Sequence, residues 1–458
     1  MAKPKIDMCH GPLTVPMIRF AIPVFLTALL QRAFQAADMI LAGQLGTSGS
    51  NAVAAIGSTT ALTSLLINFF IGCATGSAVT VSHALGSGHH TQIKKTIHSA
   101  MLLSLVLGVL LTILGLFSAR SLLISMSTPA EILELATSYL RIYFCSMVPY
   151  MVYNFGAAII RTMGETRKPL FYLLVSGPAK LILTVVFVSW LDMDVAGLAL
   201  ATAISQGVSA VLVCIDMFRR NDTCKLELKE LKFSPEPVKK ILRLGIPSGI
   251  QSATFSFSNV LVQSSVNSLS YLPGFIAGNA ASISIEGIGE VITTAFYQAA
   301  LNFTGQNVGA RQYDRVKKVY SRAMLLCTLT ICVISPLVLL FGRELLGLYI
   351  VDSEDAIRWG MVRMTFLFAP LILQGFMDTS SGVLRGMGFS LSTAIICLVG
   401  ICGFRCLWLV TVFRLPQCHT PQFLYMIYPI SWALTFAGQL GLFFAAYRKK
   451  TRESVLSA

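Results

Sequence analysis

Asp38 is a carboxylate set inside an apolar run, in the stretch QRAFQAADMILAGQLG from Gln31 to Gly46. The run extends from about Met17 to Leu45, longer than the ~20 residues with which a helix crosses a bilayer. A charge at mid-bilayer costs roughly 2.5–3.5 kcal/mol on insertion scales, so it usually faces a polar cavity or a partner. Gln31, Gln35 and Asp38 stand at i, i+4 and i+7 and share one helical face. Asp38 is either a helix-end carboxylate that snorkels to the interface or an ion- or substrate-linked carboxylate in a transport cavity. We prefer the second reading.

The second half of the chain carries its own polar set. Glu286 and Glu290 are one helical turn apart, and Asp378 follows Gln374 by four residues, so each pair can present one polar stripe. The alternative is that one of these glutamates lies near the membrane surface or contacts only helix termini. Arg32 and Arg405 are mid-span cations. Each could stabilise a carboxylate on a neighbouring helix or bind an anionic substrate group; Arg32 lies about 120° around its helix from Asp38, which disfavours a direct pair. Cys9 with His10 and Cys418 with His419 are two isolated neighbour pairs, too few for a four-ligand metal site. No CxxC pair occurs among the 11 cysteines, which are expected to act as small apolar residues.

The elements that must position these groups are membrane spans. Of 458 residues 55% are hydrophobic and 12% charged, with a mean hydropathy of +0.71; soluble domains use about 25% charged residues. The first 16 residues contain no apolar core of a cleavable signal, so the first apolar run reads as a retained span. Spans are expected near 17–43, 53–83, 97–118, 135–160, 170–191 and 195–218, and again near 241–268, 276–308, 317–341, 361–384, 390–413 and 423–447. The net charge of +14 sorts into alternating loops. One side collects Lys3, Lys5 and Arg19, Lys94 and Lys95, Arg161, Arg167 and Lys168, the 219–243 connection, Arg311 to Arg322, Arg385 and the tail RKKTR. The other holds Arg120, Arg343, Arg358 and Arg414. The positive-inside rule makes the rich side cytoplasmic, with both termini there. The charge is topological, and no nucleic-acid partner is expected.

The second half repeats the first. AIP at 21–23 returns as GIP at 245–247, Lys94–Lys95 as Lys317–Lys318, and RTMG at 161–164 as RGMG at 385–388, all at an offset of 223–224 residues. In this register Asp378 corresponds to Asn154 and Gln374 to Tyr150, which places Tyr150, Met151, Tyr153 and Asn154 among the residues of interest. Six spans per half make the repeats parallel. Residues 1–220 are expected to form an N-terminal lobe, 221–240 a connecting loop and 241–458 a C-terminal lobe. Parallel repeats with a site between them are a secondary-transporter architecture. No P-loop, HExxH or clustered catalytic aspartates appear, and no ectodomain or signalling domain supports a receptor.

The AIP opening of span one, AADxxxxGQLG at its end, DVAGLALATAISQ at 194–206, TGQNVGARQ at 304–312 and LRGMG after span ten together resemble the multidrug and toxic compound extrusion family. The resemblance covers nearly the whole chain. It implies an all-α integral membrane protein, with 12 transmembrane helices in two six-helix lobes around a central cleft. It implies export of amphiphilic or cationic organic compounds in exchange for protons or sodium, without a cofactor and without enzymatic activity. Asp38 matches the family's span-one aspartate, tied to cation coupling. Where many members have an asparagine and an aspartate in span five, this chain has Lys180 and Thr184 in AKLILTVV. That departure removes a carboxylate from the usual first-lobe sodium site and adds an amine. A span-seven glutamate found in some members is replaced by FSFSN at 255–259.

Opposite charges at about 4 Å attract by roughly 4 kcal/mol at an effective dielectric near 20, so Lys180 is an expected partner of Asp38. The pair is either a permanent salt bridge or one that protonation of Asp38, or a competing cationic substrate, breaks. Either trigger suits protons better than sodium. The expected site set is Asp38, Lys180 and Thr184 for coupling, with Gln35, Tyr150, Asn154, Glu286, Glu290, Gln374 and Asp378 for substrate and no metal ligands. A monomer in the plasma or inner membrane is expected. The competing reading is a lipid or lipid-linked saccharide flippase, which Lys180, Arg32 and Arg405 would suit.

Overall fold

The computed structural model describes residues 6–45, 50–126, 128–350 and 353–456. Lys3 and Lys5 of the positive-charge pattern, and Gly46 of the first-span motif, lie outside the described residues. All regular structure among the described residues is helical. The first half contains α1 (Thr14–Leu45), α2 (Ser50–Ser87), α3 (His90–Ser125), α4 (Ala130–Cys145), α5 (Met147–Thr162), α6 (Arg167–Val185) and α7 (Asp194–Phe218). The second contains α8 (Pro235–Asn267), α9 (Phe275–Gly309), α10 (Tyr313–Leu340), the short α11 (Gly342–Gly347), α12 (Glu354–Phe368) and α13 (Leu371–Gly386). It ends with α14 (Ser390–Cys397), α15 (Phe404–Val410), α16 (Pro421–Tyr425) and α17 (Ile427–Leu456).

Two expected spans are broken. Span four is α4 and α5, bent by 47°, and span ten is α12 and α13, bent by 45°. The cause is proline: Pro149, three residues into α5, and Pro370, just before α13, each lack an amide donor and crowd a carbonyl four residues back. Among the described residues nine helices are long and apolar enough to cross a membrane, or 11 when each bent pair counts once. The expected count of 12 included span seven. That helix forms, as the 33-residue α8, but it supplies no window of sufficient hydropathy, because its centre reads QSATFSFSN.

The chain divides into two compact units. One comprises residues 1–6 and 26–249, the other 7–25 and 250–458. Thus α1 begins in the second unit and ends in the first, while α8 does the reverse. The repeated AIP and GIP prolines, Pro23 and Pro247, lie inside these two helices, two residues before each division. A proline there removes an intrahelical hydrogen bond where the helix changes its packing partners.

In the first unit, α2 and the start of α8 pack through matched GxxxG patterns. A Cβ on Gly72 would come within 2.2 Å of Gly249 N, and one on Gly76 within 2.3 Å of Ile241 O. Backbone therefore lies on backbone, the close approach that small residues permit between membrane helices. The core of this unit centres on Ile97, Leu111, Phe144, Met151, Phe155 and Val213, all at most 1% exposed. In the second unit Val266, Leu269, Phe275, Leu424, Tyr425 and Ile427 are fully buried.

Loops in the first unit are tied by charge. Arg220 donates to Glu165 at 2.7 Å, Asp216 at 3.1 Å and Asp222 at 3.2 Å, while Lys168 contacts Glu165 and Asp216 at 2.6 Å each. Burial alone would raise the Glu165 carboxyl, but Arg220 and Lys168 outweigh it and hold its pKa below the ordinary value. The connecting segment is likewise docked. Lys94 reaches Glu230 at 2.7 Å and Glu227 at 3.1 Å, and the Glu227 amide donates to His98 Nε2 at 3.0 Å.

Candidate functional site

The first unit encloses a cavity of about 530 Å³ lined from α1, α2, α4, α5, α6 and α7. Its position follows from one helix contact. A Cβ on Gly177 of α6 would fall 2.0 Å from the Phe34 ring of α1, so the two helices meet where glycine leaves room. Four residues after Phe34 comes Asp38, and three after Gly177 comes Lys180. These offsets carry both side chains around to the same helical faces, and Lys180 Nζ donates to Asp38 Oδ2. Each side chain is only 14% exposed. Asp38 Oδ1 is buried with no hydrogen-bond partner among the described residues.

The remaining walls are polar without being charged. Asp38 and Lys180 are the only charged side chains among the described residues lining the cavity. Tyr139 and Tyr143 of α4 stack at 5.9 Å with an interplanar angle of 17°, one helical turn apart. Tyr150, Tyr153 and Asn154 of α5 also line it, as do Gln31 and Gln35. Asn154 Nδ2 donates back to Tyr150 O at 2.8 Å. Hydroxyls of α2 do the same within their helix: Thr60 donates to Ile56 O at 3.0 Å and Thr63 to Thr59 O at 3.0 Å. Met151 sits in the core instead, fully buried. Thr184 is not brought to the cavity: it is fully buried, and its Oγ1 has no hydrogen-bond partner among the described residues.

The second unit arranges its charges differently. Glu286, expected to form an acidic set with Glu290 and Asp378, is engaged in an ion pair. Its Oε2 accepts from Arg363 Nη2 at 2.7 Å. The Arg363 Nη1 donates to Asn279 Oδ1 at 2.8 Å, and the Tyr425 hydroxyl donates to the same oxygen at 3.0 Å. The guanidinium lies 5.3 Å from the Tyr425 ring and 5.4 Å from that of Tyr428, and Arg405 covers Tyr428 at 4.5 Å. Arg405 Nε also donates to Ser431 Oγ at 3.3 Å. Of these two cations the sequence marks Arg405 and not Arg363. Its one signal was a cation just inside the expected start of span ten, in MVRMTFLFAP.

Asp378 is partly buried and lies beside Thr293 and Gln374, with Glu290 and Arg385 in electrostatic reach. Glu290 is exposed. Arg385 is held by the Tyr297 hydroxyl at 2.8 Å and Gln251 Oε1 at 2.6 Å. The repeat register is visible here: Asn154 and Asp378 are each the eighth residue of their half-span, α5 and α13. Of the cysteine–histidine pairs, Cys9 Sγ contacts Gln306 at 3.8 Å, His10 pairs with Asp7 at 3.1 Å, and the His419 ring lies tilted against Phe413. Among the described residues no group of three or more His, Cys, Asp or Glu could hold a metal ion.

Comparison with known proteins agrees with this architecture. The model of the family described as MatE matches twice, over residues 23–186 and 247–408, once per repeat. The chain is 26% identical over 395 residues to a probable multidrug resistance protein, YoeA, of Bacillus subtilis, covering 84% of each chain. It is 24% identical over 400 residues to a probable multidrug resistance protein, NorM, of Thermotoga maritima, covering 84% of this chain and 82% of that one. Among solved structures it is similar to an outward-facing MATE family multidrug resistance transporter. There the TM-score is 0.87 at 21% identity, over 98% of this chain and 100% of the other.

Proposed function

Because this chain belongs to the MatE family of multi-pass membrane transporters, we propose that it is an antiporter of the cell membrane, exporting amphiphilic or cationic organic compounds in exchange for protons or sodium. Relatives named for multidrug resistance and multidrug export support the substrate class. The observation that carries the mechanism is the Asp38–Lys180 pair in the wall of a cavity of ligand size. Asp38 holds Lys180 in one state. In the other it takes a proton or a substrate group, and the loss of attraction across α1 and α6 frees these helices to repack. Lys180 already occupies one carboxylate oxygen, and its charge repels a second cation there. This supports protons over sodium. In the second unit Glu290, Gln374 and Asp378 are proposed to meet substrate, whereas Glu286 serves the Arg363 network. The basic loops support cytoplasmic termini.

The test uses purified protein in liposomes, with a fluorescent organic cation and with proton and sodium gradients imposed separately. Movement of the dye under one gradient only, lost in Asp38→Asn, is the expected result and names the ion. Folded protein that moves no dye under either gradient would overturn the reading in favour of lipid or saccharide flipping.

A further inference from the structure

We propose that a basic groove between the N-terminal segment and α10 binds the phosphate headgroup of an anionic phospholipid, with its acyl chains lying along α10. This goes beyond the export reading. The groove measures about 570 Å³ and lies wholly within the second unit, lined by residues 11–14 together with Arg315, Lys318, Ser321 and Arg322. Among the described residues it is lined by three cations and by no acid. The nearby carboxylates are engaged elsewhere. Asp314 accepts from the Tyr447 hydroxyl at 3.1 Å, and Asp7 accepts from the Cys9 and His10 amides at 2.9 and 3.0 Å. A larger groove in the first unit, of about 810 Å³, also collects lysines, but Asp222, Glu227 and Glu230 line it too. There Lys94 is paired with Glu227 and Glu230, so part of the positive charge is spent within the protein. The second-unit groove keeps its charge for a ligand.

Arg315, Lys318 and Arg322 stand at i, i+3 and i+7 and share one face of α10. The same face continues as Leu325, Leu329 and Val333, all exposed. No charged residue follows Arg322 before the end of α10, so Arg322 marks where this helix enters the hydrocarbon. One helical face thus presents cations at its start and an uncovered apolar stripe beyond them, in the order of a headgroup and its acyl chains. Basic side chains at this level attract anionic headgroups, and the planar fork of arginine matches phosphate oxygens. The wall opposite α10 is held in place. Arg315 Nη2 donates to His10 O and Asn307 Nδ2 donates to Met8 O, each at 2.9 Å. A phosphate beside Lys318 and Arg322 therefore ties the start of α1, at Thr14, to α10.

The probes are phosphatidylglycerol and phosphatidylcholine with identical acyl chains, added to the purified full-length protein in detergent. Native mass spectrometry reads the first lipid retained. The wild type is expected to retain phosphatidylglycerol roughly tenfold or more over phosphatidylcholine, the scale of two basic side chains near an anionic headgroup. Lys318→Gln combined with Arg322→Gln should bring the two lipids within about threefold of each other. Should that double variant fail to fold, the single reversal Lys318→Glu, on the exposed face, should show the same loss. Lys95→Gln with Lys229→Gln, in the first-unit groove, should leave the preference intact. A preference that survives the α10 variants, or that disappears in the first-unit variant, overturns the placement. Equal retention of both lipids by the wild type overturns headgroup recognition. Displacement of the lipid by an equal concentration of glycerol 3-phosphate would reveal a site for free phosphate and overturn the lipid as occupant. None of these readouts involves transport, so the export reading stands or falls separately.

Discussion

In the first unit a carboxylate and an amine meet across α1 and α6 with spare hydrogen-bonding capacity, at the wall of a cavity. In the second a carboxylate and a guanidinium meet across α9 and α12, where Asn279, Tyr425 and Tyr428 give the guanidinium further contacts while its Nε has no hydrogen-bond partner among the described residues. Both pairs are largely buried, with side-chain exposures of 14% and 14% against 4% and 28%. The difference is in what surrounds them. A planar guanidinium with fixed donors suits a junction held by several partners at once, and a lysine on a flexible stem suits a contact that is made and released. The same fold therefore holds one ion pair arranged to exchange partners and one arranged to keep them.

The comparison can be broken most directly at Asp38. Asp38→Asn keeps the shape and removes the charge, and uphill export is expected to vanish while folded protein remains in the membrane. Export at the wild-type rate would show that the first-unit pair is as static as the second. Next in size is Arg363→Met, which removes the ion-pair partner of the part-buried Glu286. A loss of about 3–5 kcal/mol in stability is expected, read as a lowered melting temperature in detergent. Lys180→Gln should cost less, since its pair lines a cavity. Equal losses would erase the distinction between the two pairs.

Membrane potential sharpens the contrast further. One proton entering for one uncharged amphiphile leaving moves a net charge, and about 2.3 kcal/mol per 100 mV then adds roughly a 50-fold gradient. One proton for one monovalent cation moves none. Export of an uncharged amphiphile should respond to an imposed potassium diffusion potential, and export of a monovalent organic cation should not.

The smallest expected effect lies outside the membrane, at the Glu165–Arg220–Lys168 junction. The Glu165 pKa is depressed in the folded state, so its contribution is complete above the unfolded pKa and disappears as pH falls through the lower, folded one. Glu165→Gln should therefore cost on the order of 1.5–3 kcal/mol at neutral pH. The gap to wild type should close on acidification below about pH 4.5. A gap independent of pH would mean that the junction holds by shape instead of charge.

Much of this molecule was legible in one dimension. The apolar runs, the prolines of AIP and GIP, and the returning RTMG and RGMG located the helices and the repeat, because span length and backbone breaks are local properties. The bends at 146 and 370 are written in Pro149 and Pro370, each of which lacks a backbone donor. Asp38 stood out because a charge in an apolar run is anomalous wherever the chain goes. Arg363 did not, since a basic residue near the start of a span is ordinary there. Glu286 and Glu290 share a helical turn, and their spacing could not show that Arg363 would pair with Glu286. What the sequence by itself determined was which segments are helical, which faces are polar and that the pattern occurs twice. Which charge meets which was decided by tertiary structure alone: Lys180 finds Asp38 across 142 residues and Arg363 finds Glu286 across 77. Periodicity specifies the face a side chain occupies on its own helix. Partners across helices depend on where two backbones approach, and that is set by contacts such as Phe34 on Gly177 and Gly72 on Gly249.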